Sequence, residues 1–208
     1  MQTDTSSELE RFAAEYEGSP PWEIGRPQPP FVVVADQVIS PVLDAGCGTG
    51  ATALFFAGLG REVTGIDFVE EAIRRARDKA ARAGIDAEFL VLDAMTLESW
   101  DRRFASVIDS GLFHIYSGEK RARYVLGLAH VLRPGGRLFL FGFSNEEPAA
   151  PRGGVSEEEI RSSFAEGWEI ESMQSVRGEL NPAFTAAFPD EFPKEGPLMR
   201  FAVIRRKA

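Results

Sequence analysis

The sequence predicts an α/β fold: a mostly parallel sheet with helices on both faces. Three observations carry this expectation. Short apolar runs rich in Val, Ile, Leu and Phe alternate with helical segments across residues 41–143, and continuous apolar runs suit strands buried on both sides. The first run passes straight into a glycine-rich turn that opens a helix, the place where open parallel sheets hold their ligands. Four consecutive runs end in aspartate.

Each element follows from its local pattern. A helix is expected at residues 6–17, then a Pro-rich segment from Gly18 to Pro30 without regular structure. Strands are expected at 41–44, 62–67, 87–93, 104–109 and 137–143, with helices at 49–59, 69–83 and 119–132. Pro134-Gly135-Gly136 should stop the last of these helices. Right-handed crossovers then distribute the helices over both faces. Residues 145–154 read as a Pro/Gly loop, and Ser156-Glu157-Glu158-Glu159 has capping-box spacing ahead of another helix. Runs at 168–176 and 199–206, joined by a long non-helical stretch, read as an antiparallel pair at one sheet edge.

Composition narrows the function. The 208 residues, 44% hydrophobic and 26% charged, supply one sizeable core, so one domain is expected. A net charge of -9 argues against nucleic-acid partners, because phosphate recognition depends on clustered Lys and Arg. One cysteine, Cys47, and two histidines cannot fill a soft-ligand zinc site, so no metal is expected. The lone cysteine and the acidic, polar start of the chain predict a cytoplasmic protein that is neither exported nor anchored in a membrane.

The segment Val42-Leu43-Asp44-Ala45-Gly46-Cys47-Gly48-Thr49-Gly50 is the most informative. Its three alternating glycines let the backbone approach a ligand closely, beyond what a tight turn requires. Gly46, Gly48 and Ala51 also fit the dinucleotide fingerprint. Asp67 can accept from both hydroxyls of an adenosine ribose, or cap the following helix. With Asp44, Asp93 and Asp109 it forms a rim of strand-end carboxylates that suits a cationic, donor-rich ligand.

Leu43 to Gly50, Gly65-Ile66-Asp67, Leu92-Asp93-Ala94 and Leu132-Arg133-Pro134-Gly135-Gly136 resemble, in order and spacing, the motifs of class I S-adenosylmethionine-dependent methyltransferases. The resemblance implies a Rossmann-like, seven-stranded sheet whose last strand is antiparallel. It also implies that the Gly46–Gly50 turn, with Cys47 and Thr49, underlies the amino-acid part of S-adenosylmethionine. Asp67, with Phe68 beside it, would hold the ribose, and Asp93 with the Ala94 backbone the adenine edge. Asp44, Asp109 and Ser110 complete the implied cofactor set. S-adenosylhomocysteine is the implied product. Two other readings remain: a nicotinamide-dependent oxidoreductase, and a module that binds the cofactor without chemistry.

Pro21-Trp22-Glu23-Ile24-Gly25 and Asp109-Ser110-Gly111-Leu112-Phe113-His114 are similar to segments of the thiopurine, halide/thiol and heterocyclic-toxin methyltransferases. That resemblance implies a small heteroaromatic or apolar acceptor and places Trp22 over the cofactor; the group commonly has Asp where Glu23 stands. Residues 1–30 are expected to cover a single domain spanning 31–208 and to become ordered on ligand binding. Transfer from a sulfonium requires alignment and water exclusion. A base is needed only for an acceptor such as a hydroxyl, and His114, in the loop after Asp109, is the candidate. Phe113 and Tyr116 are candidate acceptor contacts, whereas His130 reads as structural. Cys47 reads as a small packing residue rather than an activated thiol. Phe184, Phe188 and Phe192, among the prolines of residues 179–197, form either a lid or a cluster sealing the sheet edge.

Overall fold

The computed structural model describes residues 3–18, 20–146, 154–188 and 192–208, with side chains from Ser7 onward. In chain order the elements are α1 (Thr3–Glu17), α2 (Pro29–Val33), β1 (Val42–Ala45), α3 (Ala51–Gly58), β2 (Val63–Asp67), α4 (Glu70–Ala83) and β3 (Glu88–Val91). There follow β4 (Phe104–Ser110), α5 (Gly118–Val131), β5 (Leu132–Phe143), α6 (Glu157–Ser163), β6 (Trp168–Arg177), α7 (Pro182–Ala187) and β7 (Leu198–Arg206). Among the described residues no helix is long and apolar enough to cross a membrane.

The seven strands form one sheet in the order β3-β2-β1-β4-β5-β7-β6. The pairs from β3 to β5 are parallel, and β7 runs antiparallel to both β5 and β6. The fold class and the antiparallel terminal pair are therefore as expected. Strand order reverses between β1 and β4, and this switch point opens a crevice at the carboxyl ends of the strands. Register brings Ala45 opposite both Ile66 and Asp109, so the aspartates at the ends of β1, β2 and β4 come to one rim.

Alternation along the strands divides the core in two. Leu138, Leu140, Ala202 and Ile204 face the side packed by Tyr124, Leu128 and Val131 of α5 and Ile160 of α6. Phe139, Phe141, Phe201 and Val203 face Phe31 of α2, Phe56 of α3 and Ile73 and Ala76 of α4. Helices thus lie on both faces, and burial of these side chains drives them there.

Several boundaries depart from expectation. The Pro-rich segment gives way to α2 at Pro29, because proline is accommodated in the first helical turn, where its missing N–H is not needed. α5 ends at Val131, and Pro134-Gly135-Gly136 lies inside β5, absorbed as a register shift between the Phe104 and Ser106 pairings. A Cβ at Gly136 would sit 2.8 Å from the Ala105 carbonyl oxygen, so only glycine lets the chains close there. The stretch between β6 and β7 contains α7, started by Asn181, whose side chain accepts from the Ala183 N–H, and by Pro182. The Ser156–Glu159 capping box forms in both directions. Most of the loop expected at 145–154 lies outside the described residues.

Candidate active site

A cavity of about 350 Å³ occupies the switch point. Its floor is the turn after β1. Gly46, Gly48 and Gly50 adopt φ of 69°, 54° and 81°, a region that costs other residues strain. Gly46, Cys47, Gly48 and Thr49 line the cavity. Gly50 does not: a Cβ there would strike the Phe89 ring at 2.9 Å, so this glycine serves helix packing against the sheet and not the ligand. Burial pushes the Cys47 thiol well above its ordinary value, which makes it a poor nucleophile.

Three of the four strand-end carboxylates face the cavity. Asp44 is 1% exposed and neither oxygen makes a hydrogen bond of ordinary geometry. Burial raises its pKa from 3.8 to about 7; the nearby Ala53 amide offsets part of this, and Asp109 and Asp67 add to it. Asp67 accepts from Gly48 N–H at 3.0 Å and from Val69 N–H at 2.9 Å, tying the glycine turn to the start of α4. Burial still raises it to about 6. Asp93 accepts from Met95 N–H at 2.9 Å through one oxygen and borders the cavity with Ala94.

Asp109 departs from the expected cofactor set. It is fully buried and accepts from Leu112 N–H, Phe113 N–H and the Tyr124 hydroxyl, so it shapes the loop after β4 from within. Burial raises it to about 6. Phe113 is likewise outside the cavity: its ring packs on Phe164 at 5.4 Å under the Arg121 guanidinium, in the core beneath α5. The short turn at 113–115 points successive side chains in different directions, and Ser110, His114 and Tyr116 do line the cavity.

The roof comes from both ends of the chain. Trp22 packs edge-on against Phe12 at 6.0 Å and Tyr16 at 6.2 Å, and its indole N–H donates to the Tyr16 hydroxyl at 3.3 Å. Tyr16 reaches over Gly48, with its hydroxyl 2.8 Å from where a Cβ would be. Glu23 is anchored by the Thr49 hydroxyl and by Lys79 Nζ at 3.1 Å, and Lys79 also donates to Thr49 at 2.5 Å. Opposite, Phe141, Phe143, Leu180, Phe184, Phe192 and Met199 form an aromatic and aliphatic wall. The His114 ring stands in this wall, edge-on to Phe143 at 5.1 Å. Phe184 and Phe192 thus belong to the cavity, whereas Phe188 is 49% exposed. His130 lies away from the site, 3.1 Å from the Trp100 carbonyl oxygen.

A family model described as "Methyltransferase domain" matches residues 42–136. The 2-heptyl-1-hydroxyquinolin-4(1H)-one methyltransferase of Mycobacteroides abscessus is 32% identical, the alignment covering 98% of this chain and 92% of that protein. The chain belongs to the class I S-adenosylmethionine-dependent methyltransferases. Among solved structures, one from a study titled "Conversion of a Disulfide Bond into a Thioacetal Group during Echinomycin Biosynthesis" superposes with a TM-score of 0.80 at 36% identity, covering 96% of this chain and 93% of its own. The Burkholderia thailandensis 1,6-didemethyltoxoflavin-N1-methyltransferase shares the fold, with a TM-score of 0.68 at 21% identity over 99% of this chain and 87% of that one.

As a methyltransferase the chain is an enzyme whose cofactor is S-adenosylmethionine, and the dinucleotide reading of Gly46, Gly48 and Ala51 falls away. The residues present fit that cofactor. Asp44 offers a cation a buried carboxylate that makes no hydrogen bond of ordinary geometry, and the oxygens of Asp67 keep free lone pairs for hydroxyl donors. Sequence reasoning missed Tyr16, Lys79, Gln28 and Glu179. Phe12 and Tyr16, four residues apart on the expected helix, were a readable sign of its inward face. Nothing local marks the other three.

Proposed function

We propose that this methyltransferase acts on a nitrogen, oxygen or sulfur atom of a small heteroaromatic or apolar acceptor. The observation that carries this reading is a single cavity lined both by the carboxylates and glycine backbone at the ends of β1 and β2 and by the aromatic and aliphatic side chains of Phe141, Phe143, Phe184, Phe192 and Met199 beside His114. The M. abscessus relative, named for methylation of a hydroxyquinolinone, supports the same acceptor class.

Asp44 is assigned to the cationic amino group of the cofactor, and Gly46, Cys47, Gly48 and Thr49 to its amino-acid part. Asp67 beside Phe68 is assigned to the ribose hydroxyls, Asp93 and Ala94 to the adenine, and Ser110 to the border with the acceptor. When bound, S-adenosylmethionine supplies an electrophilic methyl on a sulfonium. The protein contributes alignment of the acceptor atom and exclusion of water by Trp22, Tyr16 and the α7 segment. His114 takes the proton from an acceptor whose attacking atom bears one, and Tyr116 borders the same space. A thiolate or a ring-nitrogen lone pair needs no such help.

Residues 1–30 act as the cover and 31–208 as one domain. The net charge of -9 speaks against nucleic-acid substrates, and the single cysteine suits the cytoplasm. The test is a panel of heteroaromatic acceptors bearing ring N–H, N–OH, O–H and S–H groups, with S-adenosylhomocysteine formation as readout. Turnover of at least one class is expected. Calorimetric binding of S-adenosylhomocysteine with no turnover of any of them would overturn the acceptor assignment.

A further inference from the structure

The two segments that roof the cavity come from opposite ends of the chain, and they are bonded to each other. The Gln28 carboxamide, 8% exposed, meets the main chain of Glu179 with both its ends. Its Nε2 donates to the Glu179 carbonyl oxygen at 2.9 Å and its Oε1 accepts from the Glu179 N–H at 2.9 Å. A side chain used this way imitates the neighbouring strand that residues 179–181 lack. Next to it, Asn181 N–H donates to the Pro21 carbonyl oxygen at 2.8 Å. The Arg26–Glu179 ion pair at 2.6 Å also joins the segments, but its arginine is 60% exposed, and such pairs hold little.

On one side of this junction stand Trp22 and Glu23, the latter bound to Thr49 of the glycine turn. On the other side stand Leu180 and Phe184, part of the aromatic wall. We propose that Gln28 is a positioning residue that couples the two halves of the site. Order imposed on residues 20–28 by a ligand at the glycine turn passes through the Gln28–Glu179 pairing to residues 179–188, which then set the acceptor wall. A ligand that orders one segment thereby lowers the entropy left for the second ligand to remove, so cofactor and acceptor bind cooperatively. This inference rests on the assignment of the cofactor to the glycine turn.

Amide hydrogen exchange on the full chain, with and without S-adenosylhomocysteine, tests it without any acceptor. In the unaltered protein the ligand should slow exchange at both 12–24 and 179–188, by about fivefold or more, the lower end of typical site-to-site coupling. In Gln28→Ala protection should persist at 12–24 and be lost at 179–188. A merely structural Gln28 would loosen 179–188 equally with and without ligand. If Gln28→Ala does not fold, Gln28→Met, which removes both hydrogen bonds to Glu179 while keeping the length of the side chain and adding no charge, carries the same comparison. Equal protection of 179–188 in variant and unaltered protein, or none there in the unaltered protein while 12–24 is protected, overturns the proposal. A calorimetric titration with no S-adenosylhomocysteine binding would instead overturn the cofactor assignment beneath it.

Discussion

Asp44→Asn separates the cost of the buried carboxylate from its use. The substitution keeps the shape and removes the charge. The rise of the Asp44 pKa from 3.8 to about 7 is caused first by burial, and at about 1.36 kcal/mol per pH unit it corresponds to about 4 kcal/mol. A carboxyl whose folded pKa is raised holds its proton longer in the folded than in the unfolded state. Stability from this group is therefore complete below pH 3.8, falls as pH rises, and is lost by about pH 7. The Asn variant should match the unaltered protein near pH 4 and exceed it by up to about 4 kcal/mol above pH 7. For a chain of this size that is a rise in Tm of up to roughly 8–16 °C. The same variant should bind S-adenosylhomocysteine more weakly, because a charged hydrogen bond of about 1.5–3 kcal/mol is lost, or roughly 10–150-fold in affinity. Thermal denaturation at pH 4 and pH 8, with calorimetric titration at pH 8, reads both. A variant no more stable at pH 8 would refute the burial argument, and unchanged affinity would refute the pairing of Asp44 with the cofactor.

Asp67→Ala should weaken S-adenosylhomocysteine binding about 10-fold or more by calorimetry and also lower the Tm, since the Gly48 and Val69 amides lose their acceptor; undiminished affinity would leave Asp67 as a cap alone. Cofactor binding should release protons at pH 5–6, where Asp44 and Asp67 are still protonated in the free protein. Calorimetry in buffers of different ionisation enthalpy measures that release, and its absence would mean the carboxylates do not ionise on binding. Trp22→Ala should reduce turnover and increase ligand-independent exchange of residues 12–24, because its contacts with Phe12 and Tyr16 disappear; normal values would make it ordinary packing. His114→Gln should lower kcat about 100-fold for an acceptor that must lose a proton and leave S-adenosylhomocysteine affinity unchanged, whereas equal kcat would show that no base acts there.

What the chain declares locally is decided within a few residues. The apolar runs, the glycines at positive φ, the Ser156 capping box and the aspartates at strand ends all depend on neighbours one to four positions apart, so their pattern is written in the sequence and leads directly to the sheet and the cofactor side. Gly50 and Asp109 carry the same signature as Gly46 and Asp67, yet packing against Phe89 and three donors around one buried carboxylate give them internal roles. Phe113 and His114 are adjacent, and only the direction of the turn after β4 sends one ring under Arg121 and the other into the cavity. The aromatic wall of the cavity is still less local. Gln28 and Glu179 meet across 151 positions, and Phe143 and Met199 come together through antiparallel pairing of strands far apart in the chain. Such contacts exist only once the sheet has closed its order and brought segments from both halves of the chain over the carboxyl ends of its strands, so tertiary structure alone decides which side chains face the cavity.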